Sequence, residues 1–425
     1  MRILVVGGGG REHALCWSLH REDPVADLYC APGNPGTAEL ATNLAISALD
    51  IDRLADAADA YGIDLTIIGP EIPLAMGLAD RLRAEGRAVF GPSAAAARIE
   101  SSKAFAKDLM ARADVPTARS RTFTEVGAAL AYVRSHPEPL VVKASGLAAG
   151  KGAVVCNTRN EAAEVVGGML ADGEFGDAGR TVVIEEFMEG EELSVFAITD
   201  GREMVLLPPA QDHKRLGAGD TGPNTGGMGA YSPVSIGTPA LLDRARREIL
   251  EPTLQQLALE GSPYNGLLYA GLMIGADGAL RVVEFNCRLG DPETQVVLPL
   301  VSDGLTGCLE SVARGGGVGG LTIDATQSAV TTVLASRGYP DSPEKGAEIT
   351  IPDELPEGVT VFHAGTVRDD DGRLRVSGGR VLGVTAVGPT FGEAQSKSLH
   401  ASQLISFDGK VFRPDIGWRE AQRLG

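Results

Sequence analysis

The sequence predicts a multidomain α/β and α+β protein that opens on a doubly wound parallel sheet and closes on a small β-rich domain. Three observations predict it. Apolar strand-like segments alternate with helical ones over the first hundred residues, the pattern of a parallel sheet. The length of 425 residues exceeds one ordinary core and suits roughly two to four domains. From about Ser328 onward, short strands and turns replace helices.

Taken in order, residues 2–6 form an apolar strand that runs into a glycine turn, and residues 12–20 form a helix. Residues 28–30, 65–68 and 88–90 continue the strands, with helices over 51–61 and 74–85 between them. The segments 7–10, 32–36 and 69–73 each follow a strand. They therefore line the edge at which such sheets bind ligands. Residues 101–113 form a helix with Ser101 or Ser102 as its N-cap. A compact unit follows, with strands over 140–144 and 153–156, a helix over 159–170 and a strand over 181–187. The next unit has a strand over 193–199, a long polar loop over 211–233 and a helix near 241–260. It continues with an apolar stretch over 266–274, a strand over 280–286 and a helix near 305–314, and residues 315–320 read as a linker.

Composition narrows the function. The chain is 44% hydrophobic and 22% charged, as globular proteins are. Its 55 glycines follow no collagen-like period, so their clusters mark backbone that bends tightly or approaches a ligand closely. A net charge of −18 repels nucleic acid and acidic lipid, and neither is an expected partner. Any phosphate site must then be built from local Lys, Arg and backbone N–H groups. The five cysteines, Cys16, Cys30, Cys156, Cys287 and Cys308, are scattered and odd in number, as reduced cytosolic thiols are. The opening strand lacks the apolar region and cleavage site of a signal peptide, and no apolar run spans a membrane. A cytoplasmic protein is expected, and a monomer.

Five clusters carry candidate chemistry. Gly7–Gly10 with Arg11, Glu12 and His13 is a strand-to-helix turn able to hold a phosphate on helix N–H groups. A dinucleotide fingerprint fails there, because Glu12 or His13 stands where the third glycine belongs. The segment from Lys143 to Gly152 resembles a phosphate-binding loop but breaks the P-loop pattern, since Gly152 replaces the hydroxyl residue. What remains is a Gly/Ala hairpin, including Ser145 and Gly146, with Lys143 and Lys151 at its ends. An ordinary mobile hairpin would look the same. In residues 182–192 an apolar strand runs into five acids, which reads either as a solvated linker or as an adenine and ribose site. In residues 280–286, Glu284 and Asn286 share a strand face because side chains alternate. Two oxygen ligands on one face suit a hard cation such as Mg²⁺, with Mn²⁺ possible in its place. Finally, residues 211–229 form a long donor-rich loop, which is either functional or disordered; its place in a folded, mixed-composition region favours function, and His213 alone reads as structural.

Together these segments resemble the ATP-grasp superfamily, and within it the glycinamide ribonucleotide synthetase family. The resemblance runs nearly the whole chain. It is carried by GGGGREHAL, GPEIPLAMGLAD, GPSAAAARIESSKAFAK, KASGLAAGKG, EEFMEGEELS, QDHKRLGAGDTGPNTGGMGAYSP, EFNCRLGDPETQ, FHAGT, GGRVLGVTAVG and DIGWR, in that order. Departures fall at Gly8 and Ala218. The resemblance implies a substrate domain over 1–100, a linking helix over 101–120, an ATP-grasp lid over 121–190, a central ATP-grasp domain over 191–327 and a C-terminal domain over 328–425. It implies ATP and Mg²⁺, with glycine and 5-phosphoribosylamine as substrates, joined through glycyl phosphate. By the same resemblance Lys103 and Lys143 hold phosphates, and the loop with Ser145, Gly146, Lys151 and Gly152 closes over them. Glu185, Glu186, Phe187 and Phe285 surround the adenine, Glu192 binds the ribose, and Glu284 and Asn286 hold the metal. Arg288, Asp212, Lys214 and Asp291 are the catalytic set. Gly9, Gly10, Arg11, Glu12, His13, Asn224, Thr225, Gly226, Gly227, Pro292 and Glu293 bind the two substrates. A dehydrogenase would leave the later clusters idle, a non-catalytic scaffold would have lost a phosphate lysine or metal ligand, and a different ATP-grasp ligase would share only part of the strings.

Overall fold

A computed structural model of the chain describes residues 1–148 and 152–425. Its first sheet has five parallel strands in the order Thr42–Asn43, Asp27–Pro32, Arg2–Gly7, Leu65–Ile68, Ala88–Phe90. Ile3 to Val6 are fully buried, as strands covered on both faces must be. The chain leaves the central strand Arg2–Gly7 first to one side and then to the other. The gap between the two directions of winding opens at the carboxyl ends of Arg2–Gly7 and Leu65–Ile68. Gly7 takes φ +126° there, and a Cβ would lie 2.6 Å from the Glu12 side chain, so the turn folds onto that carboxylate.

The second sheet is antiparallel, in the order Ser120–Phe123, Val182–Glu186, Leu140–Ala144, Ala153–Cys156. Helices Val126–Ser135 and Arg159–Leu170 pack against it, and together they close a core of their own around Val142, Val166 and Ile184. The third sheet, Met204–Leu206, Glu191–Thr199, Gly266–Ile274 and Leu280–Asn286, is also antiparallel. Its core is continuous with that of the first sheet: Leu4, Val195, Leu268 and Phe285 belong to one apolar cluster. The fourth joins Gln211–Asp212 and Gly229–Ser232 to Ser328–Ser336, Arg380–Gly388 and Val359–His363, with Lys410–Val411 on a side branch. This sheet therefore draws strands from both sides of residue 328. No helix among the described residues is long and apolar enough to cross a membrane.

Several expected elements are divided. The helix expected over 74–85 breaks at Gly77, φ +88°, into Glu71–Ala75 and Leu78–Ala84. Helix Ala94–Ser101 precedes Lys103–Arg112, and Ser102 separates them in an extended conformation while its hydroxyl caps Phe105 N–H. The helix near 241–260 widens over Arg246–Leu250 just before Pro252, whose ring cannot sit under a normal α-turn. The expected loop over 211–233 holds four short strands, of which Arg215–Gly217 and Thr221–Asn224 form a hairpin. The expected linker over 315–320 leads directly into Thr322–Ile323, which pairs with Val301–Asp303.

Candidate active site

One cavity of ≈ 520 Å³ lies where these four sheets meet. That volume fits a nucleotide-sized ligand. Its two ends carry different chemistry.

At the first end, Lys103 and Lys107 stand one helical turn apart on Lys103–Arg112 and face the same way. In the neighbouring sheet Val141 pairs with Glu185, so Lys143, two residues on, shares the Glu185 face. The result is a buried triad: Lys143 Nζ lies 2.9 Å from one Glu185 oxygen and Lys107 Nζ 3.1 Å from the other. Lys107 also donates to Thr117 Oγ1 at 2.8 Å. The strand Leu280–Asn286 shifts register opposite Gly271, and the Val283 carbonyl accepts from Lys143 at 3.1 Å. Lys103 is less engaged, 3.5 Å from the Gly146 carbonyl. Burial pulls its ammonium below the usual lysine range, against the nearby Glu284. Glu186, Phe187, Met188, Val155 and Met273 complete this end.

Glu284, Phe285 and Asn286 line the middle. Beside them Lys214 Nζ bridges Glu192 Oε2 at 2.5 Å and Asp212 Oδ1 at 2.7 Å. Burial opposes the Lys214 charge, but the two carboxylates outweigh it and raise its pKa well above the usual value. Lys214 in turn holds Glu192 below the ordinary carboxylate range.

The far end is built from arginines and carboxylates. Arg288 reaches Glu71 at 3.2 Å and Glu100 at 2.7 Å. Arg11 binds Glu12 at 2.6 Å and the Leu289 carbonyl at 3.2 Å. Arg380 lies 3.2 Å from Asp291 and donates to the carbonyls of Asp291 and Gly226. Burial works against the Asp291 charge, yet Arg380 and Arg11 keep its pKa low. Glu293 behaves oppositely. Burial first, then Asp212, push its carboxyl up to about 7, against the Tyr269 hydroxyl that donates to it at 2.7 Å. Tyr269 also meets Ser194 Oγ at 2.8 Å.

The four residues expected to be catalytic, Arg288, Asp212, Lys214 and Asp291, all line the cavity, as do both expected metal ligands. Of the nucleotide set, Lys103, Lys143, Gly152, Glu185, Glu186, Phe187, Glu192 and Phe285 line it. Ser145 and Gly146 stand behind: Ser145 accepts from the Lys103 and Ala104 N–H groups, and Gly146 rests on Ala178. Lys151 lies outside the described residues. Of the substrate set, Arg11, Asn224, Thr225, Gly226 and Glu293 line the cavity. Gly9, Gly10, Glu12, Gly227 and Pro292 form its backing: Glu12 Oε2 caps Gly9 N–H at 2.7 Å, and Gly227 closes on the Pro292 ring. His13 is buried farther off, accepting from His363 N–H at 2.8 Å, and burial lowers its pKa to about 3. Sequence reasoning did not single out Glu71, Glu100, Lys107, Tyr269 or Arg380. Lys107 carried a signal, the four-residue spacing from Lys103.

Comparison with known proteins follows the same geography. Three family descriptions match in succession: phosphoribosylglycinamide synthetase N domain over residues 1–100, its ATP-grasp (A) domain over 101–294, and its C domain over 329–419. The chain belongs to the phosphoribosylglycinamide synthetase family. Relatives named phosphoribosylamine–glycine ligase include that of Xanthomonas campestris pv. campestris, 47% identical over 431 residues, covering 100% of this chain and 99% of the relative. That of Salmonella typhimurium is 48% identical over 429 residues, with 100% and 99% covered. A crystal structure of phosphoribosylamine–glycine ligase from Thermotoga maritima superimposes with a TM-score of 0.87 at 35% identity, covering 98% of this chain and 100% of that one. The biotin carboxylase domain of Hydrogenobacter thermophilus 2-oxoglutarate carboxylase, at 15% identity and TM-score 0.74, covers 97% of this chain and 91% of that one and shares the fold alone. Within the family match, the lysine end of the cavity falls in the ATP-grasp part, while Arg11 comes from the N domain and Arg380 from the C domain.

Proposed function

We propose that this enzyme uses ATP to activate the carboxylate of glycine as glycyl phosphate and passes the glycyl group to the amine of 5-phosphoribosylamine. The products are glycinamide ribonucleotide, ADP and phosphate, in a step of purine biosynthesis. The observation that carries this reading is a single cavity with a lysine end and an arginine–carboxylate end, joined through Glu284 and Asn286.

A carboxylate is a poor electrophile at neutral pH, so phosphorylation supplies its leaving group. Transfer of that phosphoryl group depends mainly on positioning and on neutralising charge. Lys103 and Lys143 hold the α- and β-phosphates. The backbone around Glu185, Glu186 and Phe187 binds adenine beside Phe285, and Glu192 binds the ribose. The loop with Ser145, Gly146, Lys151 and Gly152 closes over the triphosphate and excludes water that would hydrolyse the acyl phosphate. The separate core of the small sheet supports closure as a rigid unit.

Glu284 and Asn286, on one strand and both lining the cavity, fit a hard cation that takes its other ligands from phosphate and water. Glu284 and Asn286 would hold Mg²⁺, or Mn²⁺ in its place, which would supply charge neutralisation for the phosphates. Arg288, held by Glu71 and Glu100, faces the transferred phosphoryl group. Asp212, Lys214 and Asp291 orient glycine and the amine. Arg11, Asn224, Thr225 and Gly226 contact the substrates, backed by Gly9, Gly10, Glu12, Gly227 and Pro292, with His13 in the layer behind them. Glu293 accepts the proton released when the amine attacks, a role its pKa near 7 supports. The five unpaired buried cysteines support a reducing cytoplasmic setting.

The test is ADP release with ATP and Mg²⁺, adding glycine and freshly generated phosphoribosylamine singly and together. ADP formation that needs both, with an equal amount of glycinamide ribonucleotide, is expected. ADP formed only with a different carboxylate and amine would discard this substrate pair and keep the carboxylate–amine ligase class.

A further inference from the structure

The hairpin of Arg215–Gly217 and Thr221–Asn224 projects away from the cavity, but its base does not. Lys214 precedes it, Asn224 ends it and Thr225 follows it, and all three line the cavity. What fixes the hairpin lies almost two hundred residues later, in the segment around Arg413. That guanidinium has no side-chain exposure. Its Nε and Nη2 bind the Asp415 carboxylate at 2.9 and 2.7 Å. Its Nη1 reaches Asp220 Oδ1 at 2.8 Å and the Arg215 carbonyl at 3.1 Å. Asp220 sits at the hairpin tip in the left-handed region, φ +56°, which Asp adopts more readily than most residues. Arg419 holds its second oxygen at 2.5 Å. Asp415 also accepts from Gly219 N–H at 2.8 Å, so both sides of the tip are tied to the same segment. At the base, His213 Nε2 accepts from Gly417 N–H at 2.8 Å, and its Nδ1 faces Asp220 at 3.6 Å.

We propose that Arg413, acting through Asp220 and Asp415, is a positioning residue that clamps this hairpin and so fixes Lys214, Asn224 and Thr225 at the substrate side of the cavity. The inference rests on the ligase reading for its kinetic consequence, though not for the clamp itself. The hydrogen-bond partners of Arg413, namely Asp415, Asp220 and the Arg215 carbonyl, lie outside the cavity lining, so its effect passes through the hairpin it grips. A clamp of this kind predicts selective damage. The ATP phosphates are held by Lys103 and Lys143 on other elements, and Lys214 meets the nucleotide side only through Glu192, so ATP binding suffers less than substrate binding when the hairpin loosens.

The experiment compares the full-length chain with Arg413→Met, Asp220→Asn and the double variant, read by hydrogen exchange and by steady-state kinetics. In Arg413→Met the amides of residues 213–225 should exchange at least about tenfold faster, while strands Gly266–Ile274 and Leu280–Asn286 stay protected. KM for glycine or phosphoribosylamine should rise about tenfold or more with KM for ATP within about threefold. Arg413→Lys, which keeps one contact, should fall between. The double variant should be no worse than the worse single one, because both remove the same link. If Arg413→Met does not fold, Asp220→Asn at the half-buried tip carries the same exchange and KM test. Unchanged exchange in the hairpin, or faster exchange with all KM values unaltered, overturns the proposal. Hydrogen exchange needs no turnover, so the clamp is judged even if wild-type protein fails to join this substrate pair.

Discussion

At the lysine end of the cavity, charged groups from adjacent elements satisfy one another. Lys107 and Lys143 share Glu185, and the Val283 carbonyl accepts a further hydrogen bond from Lys143. At the arginine end each cation comes from a distant part of the chain and has its own carboxylates: Arg11 with Glu12, Arg288 with Glu71 and Glu100, Arg380 with Asp291. The lysine end is a compact triad whose geometry is set by helix and strand spacing before any ligand arrives. The arginine end exists only because the first, third and fourth sheets pack together. Damage at the first should therefore be local and nucleotide-specific, and damage at the second should reach the acceptor substrates and the docking of elements.

Glu284 stands at the junction of the two ends, and its loss should have the largest effect. Glu284→Ala is expected to lower turnover by about 10³-fold, the order seen when a group that stabilises transferring charge is removed. Circular dichroism and melting should stay close to wild type. Full activity at low Mg²⁺ would separate Glu284 from the metal.

Arg380→Met probes the arginine end. It strips Asp291 of its direct cation and frees the Gly226 carbonyl, so KM for phosphoribosylamine should rise by roughly 30-fold, about 2 kcal/mol, the lower range for truncating a buried charge pair. ATP affinity, measured by calorimetry, should not change. A parallel fall in ATP affinity would show that the two ends are not separable.

Lys143→Met is the corresponding change at the lysine end. Glu185 keeps Lys107, so the chain should fold, and ATP binding should weaken by about tenfold, roughly 1.4 kcal/mol. Unchanged ATP affinity would remove Lys143 from the nucleotide site.

The smallest effect concerns pH. Glu293 works as a base only when deprotonated, and burial raises its pKa to about 7. Turnover under saturating substrates should therefore rise with pH up to about 7 and flatten above it. Glu293→Gln should lower the plateau and abolish that acid limb. A limb that persists in the variant belongs to another group.

How much of this was legible in the sequence depends on the distance over which each feature is set. The two-residue strand period brought Glu284 and Asn286 to one face, and the structure lines the cavity with both. The alternation of strand and helix in the first hundred residues became the parallel sheet, and the cap expected at Ser101 or Ser102 is Ser102. Residues 211–233 read as a loop because their strands are only two to four residues long and one pairs with Ser328–Ser336, about a hundred residues away. Arg380 had no local pattern around it, since its partners Asp291 and Gly226 lie 89 and 154 residues off. Glu100 looked like one polar residue on a helix, and only the fold sets it against Arg288 and Cys287 N–H. His13 reads as part of a glycine turn, and only the fold sets its Nδ1 against the His363 N–H, 350 residues later.

The most direct test of carboxylate activation in this cavity follows oxygen from glycine labelled with oxygen-18 in its carboxylate. The account predicts one labelled oxygen in the released phosphate for each glycinamide ribonucleotide formed. Ligation with unlabelled phosphate would contradict it.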